Sequence, residues 1–215
     1  MRKYLAEFIG TFALVFCGTG SIIINQESGG SITHVGIAIT FGLIVSAMIY
    51  SLGDISGAHF NPAVTIAFWL AKHFPLKEIL PYILSQAAGA CFASFILKFL
   101  FPLNQNLGAT LPSGLPMQSF ILELILTFIL MFVILHVAKG SKEQGMFAGI
   151  AIGSVVLLEA MFAGPICGAS MNPIRSFAPA IVSGNLGNLW IYLTAPTIGA
   201  ALAVIFWNLL KPKSE

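Results

Sequence analysis

Charge is what this chain has least of. Only 8% of its 215 residues are Asp, Glu, Lys or Arg, against about 25% in a soluble domain. Ten basic and eight acidic residues leave a net charge of +2, too little to neutralise the phosphates of a nucleic-acid partner. Cysteine is also scarce. Cys17, Cys91 and Cys167 are an odd set without metal-ligand spacing, and Cys17 and Cys91 lie inside apolar stretches, so they read as small packing residues. Neither a disulfide framework nor a zinc site is expected. His34, His59, His73 and His136 are scattered along the chain, and no metal site is expected from them. No nucleophile–base pair, phosphate-binding loop or dinucleotide fingerprint occurs. Neither an enzyme nor a cofactor is expected.

What the chain does have is apolar length. It is 57% hydrophobic, with a mean hydropathy of +0.92, the composition of an integral membrane protein. Six long apolar segments can be drawn, over residues 4–24, 35–52, 79–101, 117–138, 146–162 and 189–210. Each is near the length that crosses a bilayer as a helix. Polar or Gly/Pro-rich breaks separate them at 25–33, 53–59, 72–77, 102–116, 139–144, 164–170 and 183–188. The first segment is too long for a signal-peptide core and lacks a small-residue cleavage site, so it is expected to be a retained span. Helix contacts are expected at small residues, such as Ala87-Ala88-Gly89-Ala90 and Gly199-Ala200-Ala201.

Two matching stretches fall between the spans. The first reads Ser56-Gly57-Ala58-His59-Phe60-Asn61-Pro62-Ala63-Val64-Thr65, the second Cys167-Gly168-Ala169-Ser170-Met171-Asn172-Pro173-Ile174-Arg175-Ser176. Asn is a favoured helix N-cap and Pro a favoured first helical residue. Each stretch is therefore expected to be a loop that becomes a helix at Asn-Pro. Each following apolar run is short, about half the thickness of the hydrocarbon core.

The pairing extends along the chain. Glu7, Thr11 and Phe12 recur as Glu123, Thr127 and Phe128, Gly36-Ile37-Ala38-Ile39 as Gly149-Ile150-Ala151-Ile152, Asn61-Pro62 as Asn172-Pro173, and Gly89-Ala90 as Gly199-Ala200. The order is kept and the offset drifts only from 116 to 110. The expected fold is an all-α membrane protein with six transmembrane helices and two re-entrant half-helices. It forms one domain, 1–215, of repeats 1–101 and 117–215 joined by loop 102–116. Three spans per half is an odd number, so the halves should be inverted. With both termini in the cytoplasm of a cell membrane, Arg2, Lys3, Lys72, Lys77, Lys139, Lys142, Lys211 and Lys213 all fall on the cytoplasmic side. Only Lys98 and Arg175 do not, as the positive-inside rule asks.

Two half-helices that meet N-terminus to N-terminus make a positive centre inside the membrane, hostile to cations and protons. If the Asn61 and Asn172 oxygens cap their own helices, their NH₂ groups point outward as donors. The carbonyls of Gly57, Ala58, His59 and Phe60, and of Gly168, Ala169, Ser170 and Met171, supply acceptors, because irregular backbone at this depth must line water or be buried in protein. Such a line suits a single file of small neutral hydroxylic molecules.

The twin Asn-Pro motifs, together with the wording of 164–176, resemble the major intrinsic proteins, the aquaporins and aquaglyceroporins. The wording around the second motif is most similar to the nodulin-like intrinsic proteins of plants and their bacterial relatives. The resemblance implies a homotetramer with one pore per chain. It also implies a selectivity filter at Phe41, Ala160, Ala169 and Arg175, loop anchors at Glu7 and Glu123, and a place for His59 on the cytoplasmic pore. Three departures stand out. Ile174 replaces the Ala of the second motif. Ala160 stands where strict water channels have a His. Ser176 follows the Arg, where glycerol channels commonly have Asp. The filter therefore reads as wide. The expectation is a passive channel in the lipid bilayer for water and small uncharged solutes, either undissociated metalloid acids such as arsenious acid or glycerol, that excludes ions and protons. The alternatives are a strict water channel and a coupled secondary transporter. The latter would need a titratable group at the midplane, for which Glu159 is the one loose candidate, although it reads first as a packing residue.

Overall fold

A computed structural model describes residues 1–138 and 140–211, all helix, turn and loop, with no strand among them. The elements in order are α1 (Arg2–Glu27), α2 (Thr33–Ser56), α3 (Pro62–Leu70), α4 (Leu76–Leu100), α5 (Pro116–Ala138), α6 (Lys142–Met146), α7 (Ala148–Cys167), α8 (Pro173–Ser183) and α9 (Leu189–Leu210). Six of these, α1, α2, α4, α5, α7 and α9, are long and apolar enough to cross a membrane. Their outer faces expose Leu84, Phe95, Leu158 and Phe162, the pattern of a bundle whose solvent is lipid. The short helices α3 and α8, of 9 and 11 residues, rise about 14 and 17 Å.

The breaks differ from their sequence positions in three places. The break expected from 53 begins only after Ser56, where Gly57 ends α2 in the left-handed region at φ 83. The break expected from 164 begins only after Cys167, so that Pro165 lies inside α7. Proline has no N–H to give the carbonyl four residues back. That carbonyl, Met161 O, is taken instead by His34 Nε2 at 2.8 Å, which removes the reason for the helix to stop. The polar stretch 139–144 also contains the start of α6, opened by a capping box between Ser141 and Gln144.

The long helices approach through glycine. A Cβ on Gly89 of α4 would lie 2.2 Å from Phe8 O of α1, and one on Gly199 of α9 would lie 2.2 Å from Leu124 O of α5. Gly42 of α2 and Gly153 of α7 face each other's carbonyl oxygens at 2.6 and 2.5 Å by the same measure. The small-residue faces expected around Gly89 and Gly199 are thus the contact faces, while Ala88 is exposed. The Gly36–Gly149 match is out of register. Both helices end at left-handed glycines, Gly57 and Gly168, an offset of 111, and Gly42 meets Gly153 at that same offset.

Contacts sort the loops into two ends. At one, Lys3 Nζ is 2.9 Å from Glu78 Oε2, His73 packs on Trp207, and Lys211 lies over the same ring. At the other, Asn104 donates to Gln26 and Glu27, Asn185 to Asn106, and Ser113 to Ile166 O. Both ends of α4 are marked this way, since Lys98 near its far end donates to Pro102 O. Lys139 and Lys213 lie outside the described residues, as does the side chain of Lys142.

Gly89→Ala and Gly199→Ala are each expected to lower stability by about 1–3 kcal/mol, because the opposing atoms are backbone and the helices must part to admit a methyl. Thermal unfolding in detergent checks this. A variant that melts with the wild type would show that the helix pairs have slack.

Candidate functional site

The site is built on the two loops that precede α3 and α8. Asn61 is extended, at φ −157 and ψ 121, and its side-chain oxygen accepts from Ala63 N at 2.9 Å. Asn172 repeats this at φ −149 and ψ 109, accepting from Ile174 N at 3.1 Å and Arg175 N at 3.4 Å. Pro62 and Pro173 fill the first helical positions, where a missing N–H costs nothing. Ala63 and Ile174 are buried in the apolar core, so Ile174 adds bulk to packing and lines neither of the two cavities described below.

The two Asn amides do more than cap. Asn61 Nδ2 donates to Met171 O at 2.7 Å, and Asn172 Nδ2 donates to Phe60 O at 2.8 Å. Each Asn therefore ties its helix end to the loop before the other helix. This corrects the expectation that both amide hydrogens point outward: one of each pair is spent on the facing loop. It also occupies one of the two lone pairs of each of the Phe60 and Met171 carbonyls.

Behind each loop sits a buried carboxylate. Glu7 receives four donors: Ser56 Oγ at 2.7 Å, His59 N at 2.9 Å, Phe60 N at 2.8 Å and Gln86 Nε2 at 2.8 Å. Glu123 receives Ser170 N and Met171 N, each at 2.8 Å. Both glutamates are fully buried. With those N–H groups turned back to the glutamates, the opposite edge of each loop faces the interior cavity. The geometry needs residues in the left-handed region, and Ala58, Phe60, Ala169 and Met171 all have φ between 41 and 52.

Two cavities lie along the bundle and share part of their lining. The larger, about 730 Å³, opens at the end that carries His73, Phe74 and Met146 and is lined by Gly57, Ala58, His59, Phe60, Asn61, Ser170, Met171 and Asn172. The smaller, about 350 Å³, opens at the other end and is lined by His34, Thr110, Ala160, Gly164 and Gly168. Phe41, Ala169 and Arg175 line both, so these three residues stand at the waist, with Ala160 on its outer side. The Arg175 guanidinium lies 4.9 Å above the Phe41 ring, and its Nη1 donates to Gly108 O at 2.8 Å. Its Nε is buried without a partner.

Glu159 lines neither cavity, and both of its carboxyl oxygens are buried without a hydrogen-bond partner. It therefore sits as a packing residue of α7, off both cavities. Among the described residues no three His, Cys, Asp or Glu side chains cluster as metal ligands.

Several contributors escaped the sequence reading. Gln86 braces Glu7 and also donates to Thr65 Oγ1 at 3.1 Å. Tyr82 Oη donates to Ser56 O, and Tyr192 Oη to Cys167 O, each at 2.8–2.9 Å. The two tyrosines are 110 residues apart, the offset of Gly89 and Gly199, so continuing that alignment would have found them. Gly10 and Gly18 of α1 make room for Phe60 and Phe41, whose ring atoms would lie 2.0 and 2.2 Å from a Cβ there. Nothing in the sequence marked Gly108, whose use depends on the path of a long loop.

This arrangement has close counterparts. The major intrinsic protein family matches residues 1–207. Nodulin-26 of Glycine max is 45% identical, over 100% of this chain and 81% of its own length. Aquaporin NIP1-1 of Zea mays is 44% identical, over 98% of this chain and 75% of its own. A solved structure, the aquaglyceroporin from Plasmodium falciparum, superposes with a TM-score of 0.87 at 27% identity, covering 97% of this chain and 96% of that one. The chain belongs to the major intrinsic protein family, and it is an integral, multi-pass membrane channel for water or small solutes rather than an enzyme.

Proposed function

We propose that the chain is a passive channel with a wide filter, passing water together with small neutral polyhydroxy solutes, arsenious acid and other undissociated metalloid acids first and glycerol next. The observation that carries this reading is the waist. It has one bulky wall, Phe41, one cationic wall, Arg175, and two methyl-sized walls, Ala160 and Ala169. A solute that enters meets donors from Arg175 and from the second amide hydrogen of each Asn, and acceptors along the loop edges. Those partners replace water around a neutral hydroxyl. They cannot replace it around an ion such as arsenate, whose desolvation costs far more. The resemblance to nodulin-26 and the NIP aquaporins favours metalloids over glycerol.

In this reading 1–215 is one channel domain of two inverted repeats, 1–101 and 117–215, set as a homotetramer in a cell membrane with both termini cytoplasmic. The basic residues Arg2, Lys3, Lys72, Lys77 and Lys211 then face the cytoplasm. Glu7 and Glu123 act as loop anchors. Asn61, Asn172 and the loop residues 57–60 and 168–171 form the central path, with Phe41, Ala160, Ala169 and Arg175 as its filter. A coupled transporter would need a titratable group on the path, and Glu159 lies off it.

Uptake into proteoliposomes tests the solute range. The wild type should pass water, glycerol and arsenious acid, and Ala160→His should stop the two larger solutes while sparing water. A wild type that passes water alone would mean the filter is narrow. Uninterrupted uptake by Ala160→His would put the constriction elsewhere.

Removing the positive charge with Arg175→Val is expected to raise cation or proton leakage. Planar-bilayer conductance measures it, and an unchanged current from correctly inserted protein would count against the filter assignment.

Glu7→Gln should be milder than Glu7→Leu, and likewise at Glu123. The amide keeps one acceptor oxygen for the loop, whereas Leu leaves each bound N–H unsatisfied at about 1–3 kcal/mol. The yield and melting temperature of assembled protein report the difference. Equal losses from both substitutions would sink the anchor role.

A further inference from the structure

The connecting loop 102–116 reaches the path at two neighbouring points. Gly108 O is the one protein hydrogen-bond acceptor of the Arg175 guanidinium among the described residues. Two residues later, Thr110 Oγ1 donates to Ser176 Oγ at 2.7 Å. Ser176 is the neighbour of Arg175 and is 1% exposed, and Thr110 is 7% exposed.

The bond does not end at Ser176. Ser176 Oγ meets Ser170 Oγ, and Ser170 Oγ donates to Asn172 O at 2.8 Å. A hydroxyl has one hydrogen, and that of Ser170 is spent on Asn172. Ser176 must therefore donate to Ser170. The chain runs one way, from Thr110 through Ser176 and Ser170 to the carbonyl of the capping Asn172. Bonds in such a chain polarise and strengthen one another. Gly168 leaves room for Thr110: a Cβ there would lie 2.9 Å from the Thr110 Cγ2, so any larger residue at 168 would displace it.

The first half is braced differently. Thr65, at the place equivalent to Ser176, meets His59 Nδ1 at 3.1 Å and Gln86 Nε2 at 3.1 Å, both from within repeat 1–101. Among the described residues, the hydrogen bonds between the connecting loop and a half-helix involve the second one.

We propose that Thr110 is a positioning residue for Arg175. The hydroxyl chain latches loop 102–116 to the base of α8, and the latch keeps Gly108 O against the guanidinium. Since Arg175 Nε has no partner, the bond to that carbonyl is the hydrogen bond that holds the charge to one side of the waist, over the Phe41 ring. The loop thereby sets which neutral solutes pass. The proposal rests on Arg175 being a filter residue.

The test compares Thr110→Val, which removes the hydroxyl and keeps the branched shape, with Thr110→Ser, which keeps the hydroxyl. Both are made in the wild type and in Arg175→Val. Permeabilities to water, formamide and glycerol are measured in proteoliposomes at matched protein content. Thr110→Val should raise the ratio of larger-solute to water permeability by about two- to tenfold, the range for losing one hydrogen bond between uncharged groups. Thr110→Ser should stay near the wild type, and Thr110→Val should add nothing in the Arg175→Val background. A Thr110→Val that scales all three solutes equally, or whose effect persists in full without Arg175, would overturn the proposal and leave the filter reading intact. An Arg175→Val that leaves the ratios unchanged would overturn the filter reading, and the latch with it.

Discussion

Everything at the centre of this molecule depends on how four backbone N–H groups are satisfied in a place without bulk water. The loops before α3 and α8 cannot be helical, and lipid offers their N–H groups nothing. Glu7 takes those of His59 and Phe60, and Glu123 takes those of Ser170 and Met171. Each loop also holds two non-glycine residues at positive φ, a conformation that costs about 1–3 kcal/mol per residue. The carboxylate bonds offset that strain, and they orient the loops. With those four N–H groups turned to the glutamates, the opposite edge of each loop is left to face the interior cavity.

The second constraint is the exchange between the two asparagines. Each gives its oxygen to its own helix and one hydrogen to the carbonyl in front of the other. Two positive helix ends would repel if nothing joined them. The crossed bonds join them at a fixed separation and leave each amide one hydrogen for a passing molecule. A neutral hydroxyl can accept that hydrogen and donate to a loop carbonyl in turn. A positive centre of this kind disfavours a cation.

The two halves share this plan and differ in their bracing. Ser56 and Gln86 both donate to Glu7. At the corresponding places the second half has Cys167 and Pro196, neither of which replaces the Gln86 amide. Its support comes instead from outside the repeat, through Thr110 and Gly108 of the connecting loop. The half that carries Arg175 is thus the half whose shape depends on a loop. The loop is seated against α1 and α4 by Leu107, buried in a small cluster with Ile23 and Leu97, and by Gly108, where a Cβ would lie 2.7 Å from the Thr19 side chain. Those contacts bring the loop to the wall and leave its fastening to α8 to Thr110 and Gly108 O.

The sequence by itself determined the six apolar helices, because length and hydropathy are local properties. It also determined the two Asn-Pro helix starts, because capping is decided within four residues. Glu7 and Glu123 could be picked out because a charge in an apolar span needs a reason and the two recur at matching places. What it left open were the contacts between distant segments. Whether Pro165 ended α7 turned on His34, which reaches Met161 O from 127 residues away in the sequence. Whether the asparagine amides were free turned on where the facing loop put its carbonyl. Gln86, Thr110 and Gly108 carry no local signal, since a Gln, a Thr and a Gly in such positions are ordinary. Only the tertiary structure gave them work, by bringing a side chain, a hydroxyl and a carbonyl to buried partners that had no water to turn to.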